Sequence, residues 1–104
     1  MNLKGSLPLL ILHILAQQPN HGYRIAQEIK HRSAGVLDFK EGTLYPALHS
    51  LEDKGLIASY TTDEQGRARR YYRLTEAGRA VLAREREEWM RYARAITNIL
   101  GEAT

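Results

Sequence analysis

Apolar residues near the start of the chain recur at helical spacing. The stripe consists of Leu7, Leu10, Ile11, Ile14 and Leu15, at positions i, i+3, i+4, i+7 and i+8, which predicts an amphipathic helix. Leu9 and Leu12 are apolar on its other sides, so we expect this helix to be covered on more than one side. The run contains His13 and no small-residue cleavage site follows it, which argues against a signal peptide. It is also too short to span a bilayer, so no membrane partner is expected.

A second helix is predicted from about Gly22 to Arg32, where Ile25 and Ile29 form an apolar edge. Ser33, Ala34 and Gly35 end it, and the segment 36–39 that follows has the composition of a short strand.

A third helix is predicted from Thr43 to Lys54. Its leucines, Leu44, Leu48 and Leu51, fall on one face at spacings of four and three. Gly55 is the residue type expected at a left-handed helix end. The third helix should therefore bury one face and leave the other in solvent.

Two strand-like segments, 56–62 and 68–74, flank a turn at 63–66, which predicts a β-hairpin. Thr75 is then a suitable N-cap for a long final helix over about 76–100. Apolar residues recur along this helix at spacings of seven, four, three and four, as in a coiled-coil seam. The seam consists of Leu82, Trp89, Ala93, Ile96 and Leu100.

This order of elements predicts a mainly α (α+β) fold, a winged helix-turn-helix with a two-stranded wing and a long C-terminal helix. We expect residues 1–74 to form a DNA-binding domain and residues 75–104 to form a dimerisation helix. At 104 residues the chain is long enough for one such domain with one added element.

Composition narrows the class of protein. The chain has no cysteine, which excludes disulfides, thiolate zinc sites and thiol catalysis, and fits a cytoplasmic location. Its four histidines lie on different predicted elements without an i, i+4 pair, so structural or capping roles are favoured over metal binding. No catalytic signature is visible. We therefore expect neither an enzyme nor a cofactor.

Positive charge is concentrated in the predicted hairpin. The net charge is only +3, but residues 67–73 hold four arginines and no acid. Phosphate would relieve the mutual repulsion of Arg67, Arg69 and Arg70 and release counterions. The alternative is that these arginines pair with Asp63, Glu64 and Glu76, which lie close in sequence.

Polar residues off the leucine face of the third helix are candidates for reading base edges in the major groove. They are Thr43, Tyr45, Pro46 and His49. The alternative is an ordinary solvated helix face. Pro46 favours a special role for the helix start, since its missing N–H costs nothing in a first turn.

Three linked motifs resemble the PadR family of bacterial transcriptional regulators. They are His21-Gly22-Tyr23, the segment Gly42-Thr43-Leu44-Tyr45-Pro46-Ala47-Leu48 that leads to Gly55-Leu56-Ile57, and Arg69-Arg70-Tyr71-Tyr72-Arg73-Leu74-Thr75 with Gly78. The resemblance covers nearly the whole chain. The single helix after the wing is similar to the compact branch of that family.

The resemblance implies a homodimer that represses transcription at a two-fold symmetric, palindromic operator in double-stranded DNA. In some members repression is relieved by an aromatic or drug-like small-molecule effector near the dimer axis. Trp89 matches a tryptophan often found in the final helix, and here it is either interface core or a stacking wall for such an effector. A winged helix that binds protein and has lost its DNA role is the competing hypothesis.

Overall fold

The computed structural model of the protein describes residues 3–101. A 3-10 turn, Leu3–Ser6, precedes four helices and three strands. In chain order these are α1 (Leu7–Gln17), β1 (Asn20–His21), α2 (Gly22–Arg32), α3 (Glu41–Asp53), β2 (Ile57–Glu64), β3 (Arg67–Leu74) and α4 (Glu76–Gly101). This confirms the predicted winged helix with its long final helix. The predicted bounds 1–74 and 75–104 include residues 1, 2 and 102–104, which lie outside the described part.

The sheet differs from the prediction by one strand. β1 pairs antiparallel with β3, placing Asn20 opposite Tyr72, so the sheet has three strands in the order β1-β3-β2. The wing itself is two-stranded, as predicted, with Ile57 opposite Leu74 and Glu64 opposite Arg67. A strand of two residues carries no periodic pattern, and its partner lies about fifty residues away, so local sequence does not reveal it.

The segment 36–39 is not a strand. Leu37 and Phe39 pack against the core from an irregular loop, and the Leu37 N–H donates to the Ser33 hydroxyl. Two of its apolar residues thus add to the core without joining the sheet, whereas Val36 is 74% exposed. α3 begins at Glu41, two residues before the predicted start.

The core forms around α1, which is covered on several sides as predicted. The buried residues include Leu7, Ile11, Leu12, Ile14 and Leu15 of α1, Ile25 and Ile29 of α2, and Leu44, Leu48 and Leu51 of α3. Ile57 and Tyr72 close this core from the sheet. Leu9 and Leu10 are only half-buried and lie on the side of α1 that faces α4.

α4 is tied to the junction between α3 and β2 at its first turn. The Thr75 hydroxyl donates to the Gly55 carbonyl over 2.7 Å and accepts from the Gly78 N–H over 3.0 Å. The Thr75 N–H donates to the Leu56 carbonyl over 3.1 Å. A Cβ on Gly78 would lie 2.0 Å from that carbonyl oxygen. The start of α4 is therefore fixed closely against the backbone at Leu56.

Beyond Leu82 no described residue of α4 is fully buried in the protomer. The helix has 26 residues, and the molecule measures 58 × 28 × 22 Å. The second half of α4 thus presents its side chains to solvent or to a partner.

Candidate nucleic-acid interface

One face of α3 is exposed along its whole length. The exposed residues are Glu41, Gly42, Tyr45, Pro46, His49, Ser50 and Asp53, which recur at the spacing of a single helical stripe. We call this set the α3 stripe. Three of the four predicted base-reading residues, Tyr45, Pro46 and His49, belong to it. Thr43 is half-buried at its margin.

The α3 stripe contains no lysine or arginine, although it carries a carboxylate near each end. The Nε2 of His49 lies 4.0 Å from a carboxylate oxygen of Asp53. This face of α3 therefore offers no lysine or arginine to a phosphate.

Pro46 lies in the second turn of α3, not in the first turn as predicted. A proline there cannot donate the helical hydrogen bond to the carbonyl four residues earlier, which is that of Gly42. The interruption falls on the exposed face, because both Gly42 and Pro46 belong to the α3 stripe.

Tyr45 joins α3 to the start of α2. A Cβ on the buried Gly22 would lie 2.9 Å from the Cε1 and Oη atoms of Tyr45. The tyrosine ring therefore covers this glycine and keeps 42% of its surface exposed. Gly22 and Tyr45 both belong to the sequence motifs described above, but the contact between them depends on the tertiary fold.

His21 connects the same end of α2 to the wing. Its Nδ1 accepts from the Arg24 N–H over 3.2 Å, which caps α2, so the predicted capping role is confirmed. Its Nε2 lies 2.9 Å from the Nη1 of Arg69. Burial and the neighbouring Arg69 guanidinium lower the pKa of His21, which favours the neutral ring. The orientation of the wing is thus coupled to the start of α2.

The wing ends in a two-residue turn, Gln65 and Gly66, with positive φ angles of 53° and 82°. Arg67 follows this turn directly and is exposed. Within the described chain it has no ion pair, so its guanidinium is available to a ligand.

Arg69 and Arg70 are partly engaged within the protein. The Nε of Arg69 lies 3.7 Å from Glu64, an acid that the alternative interpretation named. Arg70 donates to Ser59 over 2.9 Å and lies 3.3 Å from Glu52, an acid near the end of α3 that is not among the three expected as alternative partners. Exposed pairs of this kind contribute little free energy, so phosphate can compete for both arginines.

Glu52 links α3 to the wing. The Ser59 hydroxyl donates a hydrogen bond to it, and this bond, assisted by Arg70, lowers the pKa of the Glu52 carboxyl. On the other face of β3, Tyr71 donates to Glu64 and packs edge-on against His21, with ring centroids 5.5 Å apart. The hydrogen bond to Glu64 raises the pKa of Tyr71.

The residues of the predicted seam of α4 differ in how far they are buried. Leu82 belongs to the protomer's own core and is 9% exposed. Trp89, Ala93 and Ile96 are half-buried, and Leu100 is 70% exposed. Of the predicted seam, only the residues from Trp89 to Leu100 therefore remain accessible to a second chain.

Trp89 lies between two recesses. One is apolar, has a volume of about 270 Å³ and is lined by Leu9, Leu10, Leu82 and Met90 among others. The second, of about 530 Å³, is bordered by Glu85, Glu88 and Tyr92. The indole thus has an apolar side and a charged side.

Among residues 3–101 no helix is long and apolar enough to cross a membrane. Within the same range no three histidine or carboxylate side chains converge as they would around a metal ion.

The helix-turn-helix formed by α2 and α3, with the wing held beside it, defines a winged helix-turn-helix protein. The model of the "Transcriptional regulator PadR-like family" matches residues 11–84. The chain therefore belongs to the PadR-like family and is a transcriptional regulator.

Individual relatives agree with this assignment. A transcriptional regulator of Mycobacterium tuberculosis is 41% identical over 93 residues, which are 89% of this chain and 84% of that protein. The structure of a transcriptional regulator from Clostridium thermocellum superposes with a TM-score of 0.84 at 32% identity, covering 92% of this chain and 94% of that one. The structure of a PadR family transcription regulator from Clostridium difficile superposes with a TM-score of 0.78 at 37% identity, covering 91% of this chain and 97% of that one.

Proposed function

We propose that this regulator binds double-stranded DNA sequence-specifically as a homodimer and represses transcription from a palindromic operator in the cytoplasm. Residues 1–74 bind DNA and residues 75–104 dimerise. The α3 stripe enters the major groove, where Tyr45, Pro46 and His49 face base edges and Thr43 lies at the margin. Arg67, Arg69 and Arg70 contact the flanking backbone or reach into the minor groove.

One observation carries this proposal: the α3 stripe and Arg69 of the wing both contact the start of α2. Tyr45 covers Gly22. The neighbouring His21 lies 2.9 Å from Arg69. A helix for base edges and cations for phosphates are thus held in one rigid arrangement, as specific DNA binding requires.

The wing carries arginines and the α3 stripe carries none, which supports separate roles for the wing and α3. The α3 stripe lacks cations, so it adds little to sequence-independent attraction. The wing arginines supply that attraction through counterion release. Affinity for any DNA should depend mainly on the wing, and discrimination between sequences mainly on α3.

Dimerisation through α4 is supported by its unburied apolar residues. Trp89, Ala93 and Ile96 are only half-buried, and Ile99 and Leu100 are exposed. A two-fold axis through this helix relates two copies of α3. Half-site centres about 10 bp apart then follow from the helical repeat of DNA.

Relief of repression by an aromatic small-molecule effector is the last part of the proposal. Its support is the apolar recess beside Trp89, where a planar ligand has an indole on which to stack. Such a ligand acts only through different affinities for two arrangements of the dimer. By linkage, an effector that weakens DNA binding must itself bind less tightly when DNA is present.

The decisive experiment is selection of bound sequences from random double-stranded DNA by the purified protein, followed by titrations at several salt concentrations. We expect a two-fold symmetric consensus and an affinity that falls steeply with salt. Arg67→Ala should weaken binding to specific and random DNA alike. Indifference to DNA would overturn the proposal and favour a protein-interaction module.

A further inference from the structure

The first turn of α3 carries an exposed carboxylate, while its hydroxyl donor, Thr43, is half-buried. Glu41 is exposed at the first helical position, and within the described chain it has no ion pair or hydrogen-bond partner. The nearby Lys40 pairs with Asp38 instead, over 3.0 Å. The Glu41 carboxylate is therefore free to accept from a ligand.

The next residue adds a second acceptor. Pro46 cannot donate to the Gly42 carbonyl, so that oxygen lacks its usual helical partner. Gly42 is exposed, and an added Cβ would meet no atom within 4 Å. Its φ is not positive, so the fold does not require glycine at this position. The missing side chain leaves the backbone open to close approach.

A free carboxylate on a DNA-facing surface is unfavourable unless it accepts a hydrogen bond, because phosphates repel it. In the major groove only the exocyclic amino groups of cytosine and adenine donate. Adenine also presents its N7 acceptor beside the amino group, which repels a carboxylate, whereas cytosine presents the amino group alone. Cytosine is therefore the better match for a carboxylate acceptor.

We infer that Glu41, beside the open backbone at Gly42, selects cytosine at one position of each operator half-site. This inference rests on the proposed function, since it names the base that the same surface reads. Glu41 is absent from the sequence-predicted set because the third helix was expected to begin two residues later.

The simpler explanation is that Glu41 only stabilises the helix, since an acid in the first turn interacts favourably with the helix dipole. The two explanations predict opposite effects. If Glu41 only stabilises α3, removing its charge lessens repulsion and raises affinity for all DNA equally. If it reads cytosine, its removal lowers affinity for the operator relative to random DNA.

The test compares wild type, Glu41→Gln and the control Glu76→Gln by selection from random DNA and by titration of the selected operator. Glu76 is the exposed acid in the first turn of α4, outside the α3 stripe, so its variant makes the same chemical change at the start of another helix. Glu41→Gln should lose cytosine preference at one half-site position, on the order of tenfold, and gain tolerance of adenine, which glutamine recognises. Glu76→Gln should keep the wild-type base preference.

Gly42→Ala provides a second test. Its methyl group has space within the protein, so the variant should fold and unfold at or above the wild-type Tm while binding the operator more weakly. Selective wild-type binding with an unchanged preference in Glu41→Gln would overturn this inference alone. A wild type without any sequence preference would overturn the proposed function as well.

Discussion

Gly78 allows a quantitative test of how α4 is attached to the winged domain. An ideal Cβ at this position would lie 2.0 Å from the Leu56 carbonyl oxygen and 2.7 Å from the Leu74 Cδ1. Real Cβ atoms essentially never come within 3.0 Å of such a neighbour, so 3.0 − 2.0 = 1.0 Å is the least displacement that Gly78→Ala requires. The blocking atom belongs to the backbone and cannot rotate away.

The cost of this displacement has two parts. The Leu56 carbonyl accepts from the Thr75 N–H over 3.1 Å, and weakening that bond costs about 0.5–1.5 kcal/mol. Overpacking adds about 1–3 kcal/mol. Alanine is better than glycine inside a helix by about 0.5–1 kcal/mol, which offsets part of the loss. The net destabilisation is about 0.5–4 kcal/mol. The middle of this range is equivalent to a fall in Tm of roughly 9–18 °C for a domain of this size.

Thermal unfolding followed by circular dichroism measures this effect. Wild type, Gly78→Ala and Gly42→Ala should be compared at one protomer concentration, because dimerisation makes Tm depend on concentration. Gly42→Ala is a matched control, since it makes the same chemical change in a helix where no atom lies within 4 Å. If Gly78→Ala unfolded at or above the wild-type Tm, the close packing of α4 against Leu56 would be refuted.

Three further predictions concern assembly, DNA binding and pH. Ile96→Glu places a carboxylate in the proposed interface, at a cost on the order of several kcal/mol; sedimentation should show a folded monomer at micromolar concentration, and an intact dimer would exclude this interface. Arg67→Ala should reduce the salt slope of DNA binding by about 1 without altering base preference; a changed preference would contradict a backbone role. In the folded protein, burial and Arg69 lower the pKa of His21 from its usual 6.5. As pH drops below 6.5, the unfolded chain therefore binds a proton at His21 before the folded chain does. The free energy of unfolding should fall over this pH range, down to the pKa of the folded state. Urea unfolding of wild type and His21→Asn at pH 7.5 and 5.5 measures this change. The asparagine keeps a side-chain oxygen that can cap α2 but does not titrate. An equal pH dependence of unfolding in the two proteins would refute the role of His21.

Local patterns in the sequence were sufficient to predict most elements of the fold. The leucines of α3 repeat within a few residues, and all three are buried. Gly55 has the left-handed φ, 75°, expected at a helix end, and the wing turn forms at Gln65 and Gly66 within the predicted segment. Such features depend on backbone sterics and side-chain periodicity over a few residues, which the sequence displays directly.

The residue types in the sequence motifs indicated that the polar face of α3 and the arginines of the wing are candidates for DNA binding. The family resemblance, carried by motifs in a fixed order, indicated a transcriptional regulator, and the match over residues 11–84 confirmed the family. Which side chains remain available for DNA did not follow from the motifs, because pairing and burial depend on neighbours distant in sequence.

Only the tertiary structure determined those neighbours. Arg70 pairs with Glu52, and Tyr45 covers Gly22, across separations of 18 and 23 residues. Leu82 has the spacing of the seam but is buried in the protomer's own core, because α4 packs on α1 there before extending beyond it. Periodicity identifies which face of a helix is apolar, whereas the packing of the whole chain decides what covers that face.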